Sequence, residues 1–376
     1  MKAICWQGKK DLRCEEVPDP MIEDPKDAII RVTSTCICGS DLHLMNGFVP
    51  TMCAGDVMGH EPMGEIVELG GEARAAGLEI GDRVVVPFQI ICGACEQCRA
   101  GNFSVCQVTN RNADLAKAFF GDTTAGLFGY SHITGGFAGG QAEYLRVPYA
   151  ASTLIKVPHT GADEKYLFLS DILPTGWQAA AFADIQPTDT VAVWGCGPVG
   201  LFTVQAAIVQ GAQRVIAIDD VPERLALAEG LGAEILDRGR EKVIPTLKEM
   251  TDGHGPEKCI DAVGIEAHGP TALPELIDRA QTALKLETER PVALREAIMA
   301  CKTAGTVSVP GVYGGLANMI PLGALMNKGL TLRTGQTHVK RWADELLRRI
   351  DEGEIGTTFL VTHTAPLSEG PALYKT

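Results

Sequence analysis

The sequence predicts an α/β protein that combines a loop-rich antiparallel β domain with a doubly wound parallel sheet. Short strand patterns punctuated by Gly, Pro and Asp fill the first 150 or so residues. From about residue 165 to 335, apolar runs alternate with segments long enough for crossover helices, as in parallel sheets. In addition, 376 residues are too many for one ordinary hydrophobic core, so two domains are expected.

The individual elements follow from these patterns in chain order. We expect the antiparallel domain to occupy residues 1–160 and the parallel domain to occupy residues 161–338. The C-terminal segment, 339–376, contains a charged helix around 340–351 and a strand-like stretch at 359–362, and we expect it to return to the first domain. The predicted strands include 27–32, 64–69 and 82–87 in the first domain, and 190–194, 214–218, 259–263, 306–309 and 330–333 in the second.

Composition and charge restrict the classes of function. The chain is 45% hydrophobic and 21% charged, as in soluble globular proteins, and no apolar run reaches the ~18 residues of a membrane span. A net charge of −14 disfavours nucleic acid and anionic membrane, which leaves small molecules and other protein subunits as partners. Because the start has no apolar signal core, we expect a cytoplasmic protein whose twelve cysteines are reduced thiols.

Four cysteines lie within 15 residues, at Cys92, Cys95, Cys98 and Cys106. Gaps of two residues let a turning backbone offer successive sulfurs to one ion, and zinc takes four tetrahedral thiolate ligands. Because protein would fill all four ligand positions, the predicted zinc is structural. The alternative, redox disulfides or core cysteines, is disfavoured by a cytoplasmic chain and a glycine-punctuated polar loop.

A G-x-G-x-x-G motif at Gly195, Gly197 and Gly200 follows the strand predicted at 190–194. A helix, a second strand and then Asp219 come next, an order that is typical of the Rossmann dinucleotide-binding fold. The first glycine permits a tight turn, the second lets the backbone approach the pyrophosphate, and the third allows close packing of helix and strand. The helix N-terminus supplies N–H groups and a positive dipole for the phosphates.

The acidic residue after the second strand indicates which dinucleotide binds. Asp219 is positioned to accept hydrogen bonds from the adenosine ribose hydroxyls. A carboxylate there repels a 2′-phosphate and Asp220 adds to the repulsion, so NAD is favoured over NADP. Arg224 could stack on the adenine, although its position after Asp219 equally suits recognition of NADP.

Two further motifs, Cys38–His43 and Gly59–Glu61, complete a pattern that resembles the zinc-containing medium-chain alcohol dehydrogenases over nearly the whole chain. The resemblance implies a GroES-like catalytic domain, a Rossmann domain, and a second, catalytic zinc held by Cys38 and His60. Cys36 is a rival ligand on the same predicted strand face. Taken alone, His60 is typical of an ordinary loop histidine.

The third ligand narrows the resemblance to one branch of the family. Many relatives use a second cysteine, but none occurs between Cys106 and Cys196. The segment Leu169–Trp177 is similar to that of glutathione-independent formaldehyde dehydrogenases, which implies that Asp171 is the ligand. A carboxylate matches a thiolate in charge, so the ligands and Zn²⁺ still sum to about neutral. Glu61 is either an alternate oxygen ligand during turnover or a carboxylate beside the ligands.

The same resemblance implies the reaction, which is hydride transfer from a zinc-bound alcohol or aldehyde hydrate to NAD⁺, with two Zn²⁺ per chain. Three protein ligands leave a fourth position for substrate oxygen, where zinc acts as a Lewis acid. Ser40 and His43 are spaced as in the family's proton relay, although Ser40 could also be a strand-end cap. Phe88 resembles the aromatic wall of the substrate pocket, although such aromatics are also common in cores.

Further cofactor contacts are implied by the resemblance alone. The long segment from about 268 to 294 is similar to the formaldehyde dehydrogenase branch, but the loop around its start differs from relatives, and so does 111–132. The implied contacts are Gly39, Thr175, Pro198, Val199, Val263, His268, Pro310, Val312, Gln336 and His338.

Two other functions stay open at this point. One is a general alcohol, polyol or amino-alcohol dehydrogenase on the same scaffold. The other is a binding or structural protein that kept the nucleotide site but lost catalysis, which the joint presence of Cys38, His60 and Asp171 disfavours. Relatives are commonly dimers or tetramers joined through the cofactor-domain sheet, so a homo-oligomer, a tetramer above all, is expected.

Overall fold

A computed structural model of the chain describes residues 1–264, 291–314 and 317–375. The chain divides into two compact units. Unit 1 contains Met1–Pro174 together with Thr337–Thr376, and unit 2 contains Thr175–Gln336.

Unit 1 extends to Pro174 rather than ending near residue 160, because the intervening segment packs within it. Arg83 Nη2 donates a hydrogen bond of 2.6 Å to Asp163 Oδ1. The backbone N–H of Phe88 donates to the carbonyl of Ser170 at 3.1 Å. Asp171, the predicted zinc ligand that follows Ser170, therefore belongs to the same unit as the other predicted ligands.

Unit 1 is built mainly from antiparallel strands, as predicted. The strands are β1 (Lys2–Gly8), β2 (Asp11–Glu16), β3 (Ala28–Thr35), β4 (Asp56–Val57), β5 (Pro62–Leu69), β6 (Arg83–Val85), β7 (Gln89–Ile90), β8 (Gly126–Leu127), β9 (Tyr144–Val147) and β10 (Ile155–Lys156). Among the described residues they form sheets of order β10-β6-β5-β3-β9, β2-β1-β4 and β7-β8. Ile30, Ile66, Val84, Leu145 and Phe128 share one buried core beneath the five-stranded sheet. This rigid sheet carries the loops that hold the candidate metal ligands.

Short helices fill the connections of unit 1. They are α1 (Gly39–Met45), α2 (Gly71–Ala75), α3 (Glu96–Arg99), α4 (Ala113–Phe120) and α5 (Ala150–Thr153), and α6 (Ile172–Ala183) contains the boundary with unit 2.

Unit 2 contains the predicted doubly wound parallel sheet. Its strands are β11 (Thr190–Trp194), β12 (Arg214–Asp219), β13 (Glu234–Asp237), β14 (Lys258–Asp261), β15 (Thr306–Val309) and β16 (Thr331–Thr334), and its further helices are α7 (Pro198–Val209), α8 (Pro222–Gly230), α9 (Val243–Met250), α10 (Val292–Ala300) and α11 (Leu322–Asn327). The described strands pair in parallel in the order β13-β12-β11-β14-β15-β16. This is the Rossmann order, in which ligands bind at the carboxyl ends of the strands near β11, so the predicted fold class is confirmed.

The C-terminal part of unit 1 contains α12 (Val339–Asp351), as predicted, and α13 (Gly370–Leu373). The strand predicted at 359–362 is wrong, because a 3₁₀ turn forms at Thr358–Leu360 instead. Contacts with a distant segment hold the start of this turn, because the Thr357 hydroxyl donates to the carbonyls of Glu164 and Lys165. The Val361 N–H then closes the turn by donating to the Thr358 carbonyl. Of the helices that the structure describes, none is long and apolar enough to traverse a lipid bilayer.

Candidate functional site

A buried cluster of metal-ligating side chains in unit 1 forms the centre of the candidate site. One ligand atom from each of Cys38, His60, Glu61 and Asp171 lies within 4.8 Å of every other. The His60 Nε2 atom is 3.3 Å from Asp171 Oδ2 and 3.8 Å from Glu61 Oε1. Three separate segments of the chain therefore bring a thiol, an imidazole and two carboxyl groups to one point.

The local fold explains how each ligand reaches the cluster. Cys38 does not share a strand with Cys36 as predicted, because β3 stops at Thr35. Instead, Cys38 caps the N-terminus of α1. His60 and Glu61 directly precede β5. They follow Gly59, whose φ of +95° and close approach to Gln141 leave no room for a side chain, since a Cβ would lie 2.4 Å from that glutamine. Asp171 lies between a 3₁₀ turn and α6.

The electrostatics of this cluster favour a bound cation. Burial raises the pKa of the Cys38 thiol to about 12 and that of the Glu61 carboxyl to about 7. Buried anions gathered at one point are costly unless a positive charge balances them. Neither carboxylate oxygen of Glu61 accepts a hydrogen bond from an N–H or O–H of the described residues. Thiolate, imidazole and carboxylate are the ligands that zinc prefers, so these residues fit a zinc ion.

The structure distinguishes Cys38 from its rival. Cys38 belongs to the cluster of potential ligands, whereas Cys36 does not. The Cys36 backbone N–H donates to the Glu61 carbonyl at 3.3 Å, and burial raises the pKa of its thiol well above the usual value. Cys36 is therefore a half-buried thiol next to the cluster rather than one of its potential ligands.

A chain of hydrogen bonds orients His60 from outside the cluster. His60 Nδ1 is 3.1 Å from Asp41 Oδ1, and Asp41 Oδ2 accepts from the Cys38 backbone N–H at 2.9 Å. The Gln141 side-chain amide donates to the Cys36 carbonyl at 2.9 Å and approaches Asp41 Oδ2 at 3.4 Å, and the Tyr374 hydroxyl donates to Gln141 Oε1 at 2.8 Å. None of these three outer residues was predicted from the sequence, although Asp41 lies inside the Cys38–His43 motif.

Aromatic rings and a hydroxyl surround His60. The rings of Phe88 and Tyr130 meet it edge to face, with centroids 6.3 and 6.4 Å away. Ser40 Oγ lies 3.2 Å from His60 Nε2, the nitrogen that faces Asp171. Both Ser40 and His43 lie in α1, where His43 is buried, so Ser40 is a helix residue rather than a strand-end cap. Tyr130 was not predicted from the sequence, since no local pattern marks it.

The cysteine quartet forms a second cluster in unit 1, around α3. Cys92 Sγ is 3.9 Å from Cys98 Sγ, and Cys95 Sγ is 4.0 Å from Cys106 Sγ. A tetrahedron with Zn–S bonds of about 2.3 Å has sulfur–sulfur edges of about 3.8 Å, so the spacing matches zinc. Burial raises the pKa of the Cys95 thiol, but the N–H groups of Cys98 and Gln107 outweigh it and bring that pKa to about 6. A thiolate is thereby stabilised as a metal ligand.

The glycine motif in unit 2 has the geometry of a phosphate-binding turn. Gly195 has φ of +89°, and a Cβ on Gly200 would lie 1.8 Å from the Gly195 carbonyl oxygen. Gly197 caps α7, and around it a Cβ would meet no atom within 4 Å, so the backbone there is open to a ligand. Asp219 ends β12, and its Oδ2 accepts from the Cys196 N–H at 2.6 Å. The carboxylate thus lies directly beside the turn.

The other predicted cofactor residues are distributed over both units. Val263 follows β14, and its side chain would lie 2.8 Å from a Cβ on Gly195; Pro310 and Val312 follow β15 at the same carboxyl edge of the sheet. His268 lies outside the described residues. The remaining positions are Pro198 and Val199 in the first turn of α7, Arg224 exposed in α8, Thr175 in α6, Gln336 at the end of unit 2, Gly39 in α1, and His338, which pairs with Ser104 at 3.0 Å in unit 1.

Two family models match the chain. Residues 24–159 match the alcohol dehydrogenase GroES-like domain, and residues 198–276 match the zinc-binding dehydrogenase domain. The first region falls within the bounds of unit 1 and the second within those of unit 2.

Relatives cover almost the whole chain. It is similar to an uncharacterized zinc-type alcohol dehydrogenase-like protein of Bacillus subtilis, with 41% identity over 373 residues that span 98% of this chain and 94% of that protein. A glutathione-independent formaldehyde dehydrogenase of Pseudomonas aeruginosa is 34% identical over 375 residues, which span 93% and 87% of the two chains. Among solved structures, the alcohol dehydrogenase TADH from Thermus sp. ATN1 matches with a TM-score of 0.82 and 32% identity. This match covers 100% of the present chain and 96% of the Thermus chain. The chain therefore belongs to the zinc-dependent medium-chain alcohol dehydrogenase family.

Proposed function

We propose that this dehydrogenase is formaldehyde dehydrogenase-like and oxidises a small alcohol or an aldehyde hydrate with NAD⁺, holding its catalytic zinc with Cys38, His60 and Asp171. The observation that carries the proposal is the Asp171 carboxylate, 3.3 Å from His60 Nε2, at the place where many relatives use a cysteine. The likeness to a glutathione-independent formaldehyde dehydrogenase supports it. The likeness to the Thermus alcohol dehydrogenase favours the second candidate, a general alcohol or polyol dehydrogenase.

The side chains around the cluster suit this oxidation, which removes a hydride from carbon and a proton from oxygen. Bound zinc would supply Lewis-acid activation of the substrate, and NAD⁺ would accept the hydride. We propose that Ser40 accepts the proton from the substrate hydroxyl and that His43 is the next carrier; the 3.2 Å distance from Ser40 Oγ to His60 Nε2 supports this order. Phe88 and Tyr130 offer apolar surface to the substrate carbon and keep water away from it.

A substrate panel tests the proposal. NAD⁺ reduction is measured with formaldehyde in the absence of glutathione, and with matched primary alcohols, secondary alcohols and polyols. We expect the highest kcat/KM with formaldehyde or a short primary alcohol. Higher values with secondary alcohols or polyols would instead assign the chain to the general alcohol or polyol dehydrogenases.

We propose NAD rather than NADP as the cofactor, and Asp219→Ala tests this choice. The carboxylate at the end of β12 is expected to accept hydrogen bonds from the ribose, each worth about 1.5–3 kcal/mol for a charged acceptor. Its loss should weaken NADH binding by about tenfold or more and narrow the preference over NADPH. Both Kd values are measured by fluorescence titration. Asp220→Ala is the matched control, and equal effects of the two substitutions would contradict the assignment.

Tyr374→Phe tests whether the outer hydrogen bonds hold the His60 ligand in place. The Tyr374 hydroxyl is buried and donates to Gln141, which contacts Asp41, the partner of His60. A hydrogen bond contributes about 1 kcal/mol, so we expect zinc affinity to fall by up to about fivefold, measured as faster zinc transfer to a chelator. Tyr313→Phe is the control, since it removes a 2.8 Å hydrogen bond to Asp261 in unit 2. Unchanged transfer rates in Tyr374→Phe would show that the contact is structural only.

We also propose a homo-oligomer and a reducing, cytoplasmic location. Strand β16 lies at the edge of the described parallel sheet, with all four residues exposed. Leu322 and Met326 of the nearby α11 are 66% and 74% exposed. Exposed strand edges and apolar surfaces of this kind are covered when chains associate, so light scattering should report a dimer or tetramer. The proposed zinc–thiolate centres require reduced cysteines, which the cytoplasm maintains.

A further inference from the structure

A third group of potential ligands lies in unit 1, apart from both clusters described above. It consists of Cys53, Asp56 and His132, whose ligand atoms all lie within 4.8 Å of one another. His132 Nε2 is 3.1 Å from Asp56 Oδ1. Two nitrogen or oxygen ligands of a tetrahedral zinc ion are about 3.3 Å apart, because each lies about 2.0–2.1 Å from the metal. The imidazole and carboxylate are therefore already at the spacing that a shared ion requires.

The surrounding backbone holds these two ligands in position. The His132 N–H donates to the Thr51 carbonyl at 3.3 Å, and the His132 carbonyl accepts from the Asn112 side chain at 2.8 Å. The ring packs on Gly136, where a Cβ would lie 2.7 Å from Nδ1, so the opposite nitrogen, Nε2, faces Asp56. Asp56 Oδ2 accepts from the Cys53 N–H at 2.7 Å, which directs Oδ1 to the histidine.

We propose that Cys53, Asp56 and His132 form a third site, which binds a thiophilic divalent cation such as Zn²⁺ reversibly. The Cys53 thiolate and the Asp56 carboxylate would supply two negative charges, which neutralise a divalent cation. The neutral imidazole would be the third ligand, and a fourth coordination position would remain for water. Cys53 is exposed, and the side chains of Asp56 and His132 are 20% and 36% exposed. An ion can therefore enter and leave from solvent.

The position of this site connects it to the candidate active site. His132 is two residues after Tyr130, whose ring lies against His60. Because His132 would be one of its ligands, a bound ion would tie the segment that carries this tyrosine to Cys53 and Asp56. We therefore expect excess Zn²⁺ to change the turnover rate of the native enzyme through this site, and to leave the rate of Cys53→Ser unaffected.

Zinc binding to the holoenzyme tests the proposal. Native enzyme is dialysed against buffered free Zn²⁺ over a concentration series, and bound zinc per chain is measured by elemental analysis. We expect one additional equivalent above the level retained after brief chelator treatment. Cys53→Ser and His132→Gln should each weaken this equivalent by about tenfold or more, whereas Cys14→Ser, at a half-exposed thiol on β2, should leave it unchanged.

Alkylation gives a second measurement that does not depend on activity. Iodoacetamide modification of each cysteine is followed by peptide mapping, with and without added Zn²⁺. We expect Zn²⁺ to slow modification of Cys53 and not that of Cys14. Any one of three results would overturn the proposal. They are no additional equivalent of zinc, an additional equivalent that survives both substitutions, and equal alkylation of Cys53 with and without zinc. The contact between His132 and Asp56 would then be an ordinary hydrogen bond. These outcomes are independent of the substrate panel, because the third site shares no ligand with the Cys38 cluster.

Discussion

Cys38→Ser is expected to remove one zinc ion per chain and to lower kcat by about a thousandfold or more. The substitution replaces the only thiol in the buried cluster by a hydroxyl, which is a far weaker zinc ligand, and leaves His60 and Asp171 as an incomplete set. Lewis-acid activation contributes several kcal/mol, and each 1.36 kcal/mol corresponds to about tenfold in rate. Elemental analysis and steady-state kinetics of the purified variant measure the two effects together.

Cys36→Ser provides the matched control, because it alters a half-buried thiol only two residues away. We expect it to keep both zinc ions and most of its activity, since Cys36 is not part of the ligand cluster. The opposite pattern, zinc loss in Cys36→Ser and retention in Cys38→Ser, would assign the ligand to Cys36. A native protein that holds only the quartet zinc would favour a relative without catalysis and would contradict the proposed function.

The parallel sheet was predictable because its central strands are buried on both faces. Such strands appear in a sequence as continuous apolar runs, for example Thr190–Trp194, all five of whose residues are buried. The antiparallel unit was less predictable because four of its strands have only two residues each, at 56–57, 89–90, 126–127 and 155–156. Strands of two residues are defined by pairing with segments that are distant in the sequence, so no local sequence pattern predicts them.

The candidate site shows the same division between local and distant contacts. The quartet and the glycine motif are compact in sequence, so their spacing alone predicts them. Asp171 is 111 residues after His60 and was identified only through a family resemblance. Tyr374 lies 233 residues from its hydrogen-bond partner Gln141, and His132 lies 76 residues from Asp56. Their roles depend on the tertiary fold, since tyrosine, glutamine and histidine at such separations carry no pattern of their own.

Cys106→Ser is expected to remove the quartet zinc and to destabilise unit 1 strongly. Cys106 is completely buried, and it packs with Cys98, Ile91 and Ala125 in a small cluster built around the four sulfurs. A structural zinc ion contributes many kcal/mol to folding, so this small cluster has little to replace it. At about 2–4 °C for each kcal/mol, we expect the apparent Tm to fall by about 10 °C or more, measured by calorimetry with zinc release followed in parallel.

Cys5→Ser separates the loss of metal from the loss of a buried thiol. Cys5 is also completely buried, in β1, and belongs to none of the three groups of potential zinc ligands described for unit 1. We expect it to keep both zinc ions and to lower the apparent Tm by much less than Cys106→Ser. If the two variants lose equal stability, or if Cys106→Ser keeps its zinc, the quartet is a packed thiol cluster and not a metal site. The quartet and the Cys38 cluster share no residue. Cys106→Ser chains that stay folded should therefore retain the proposed catalytic zinc, and the losses of zinc caused by Cys38→Ser and Cys106→Ser should add when both substitutions are combined.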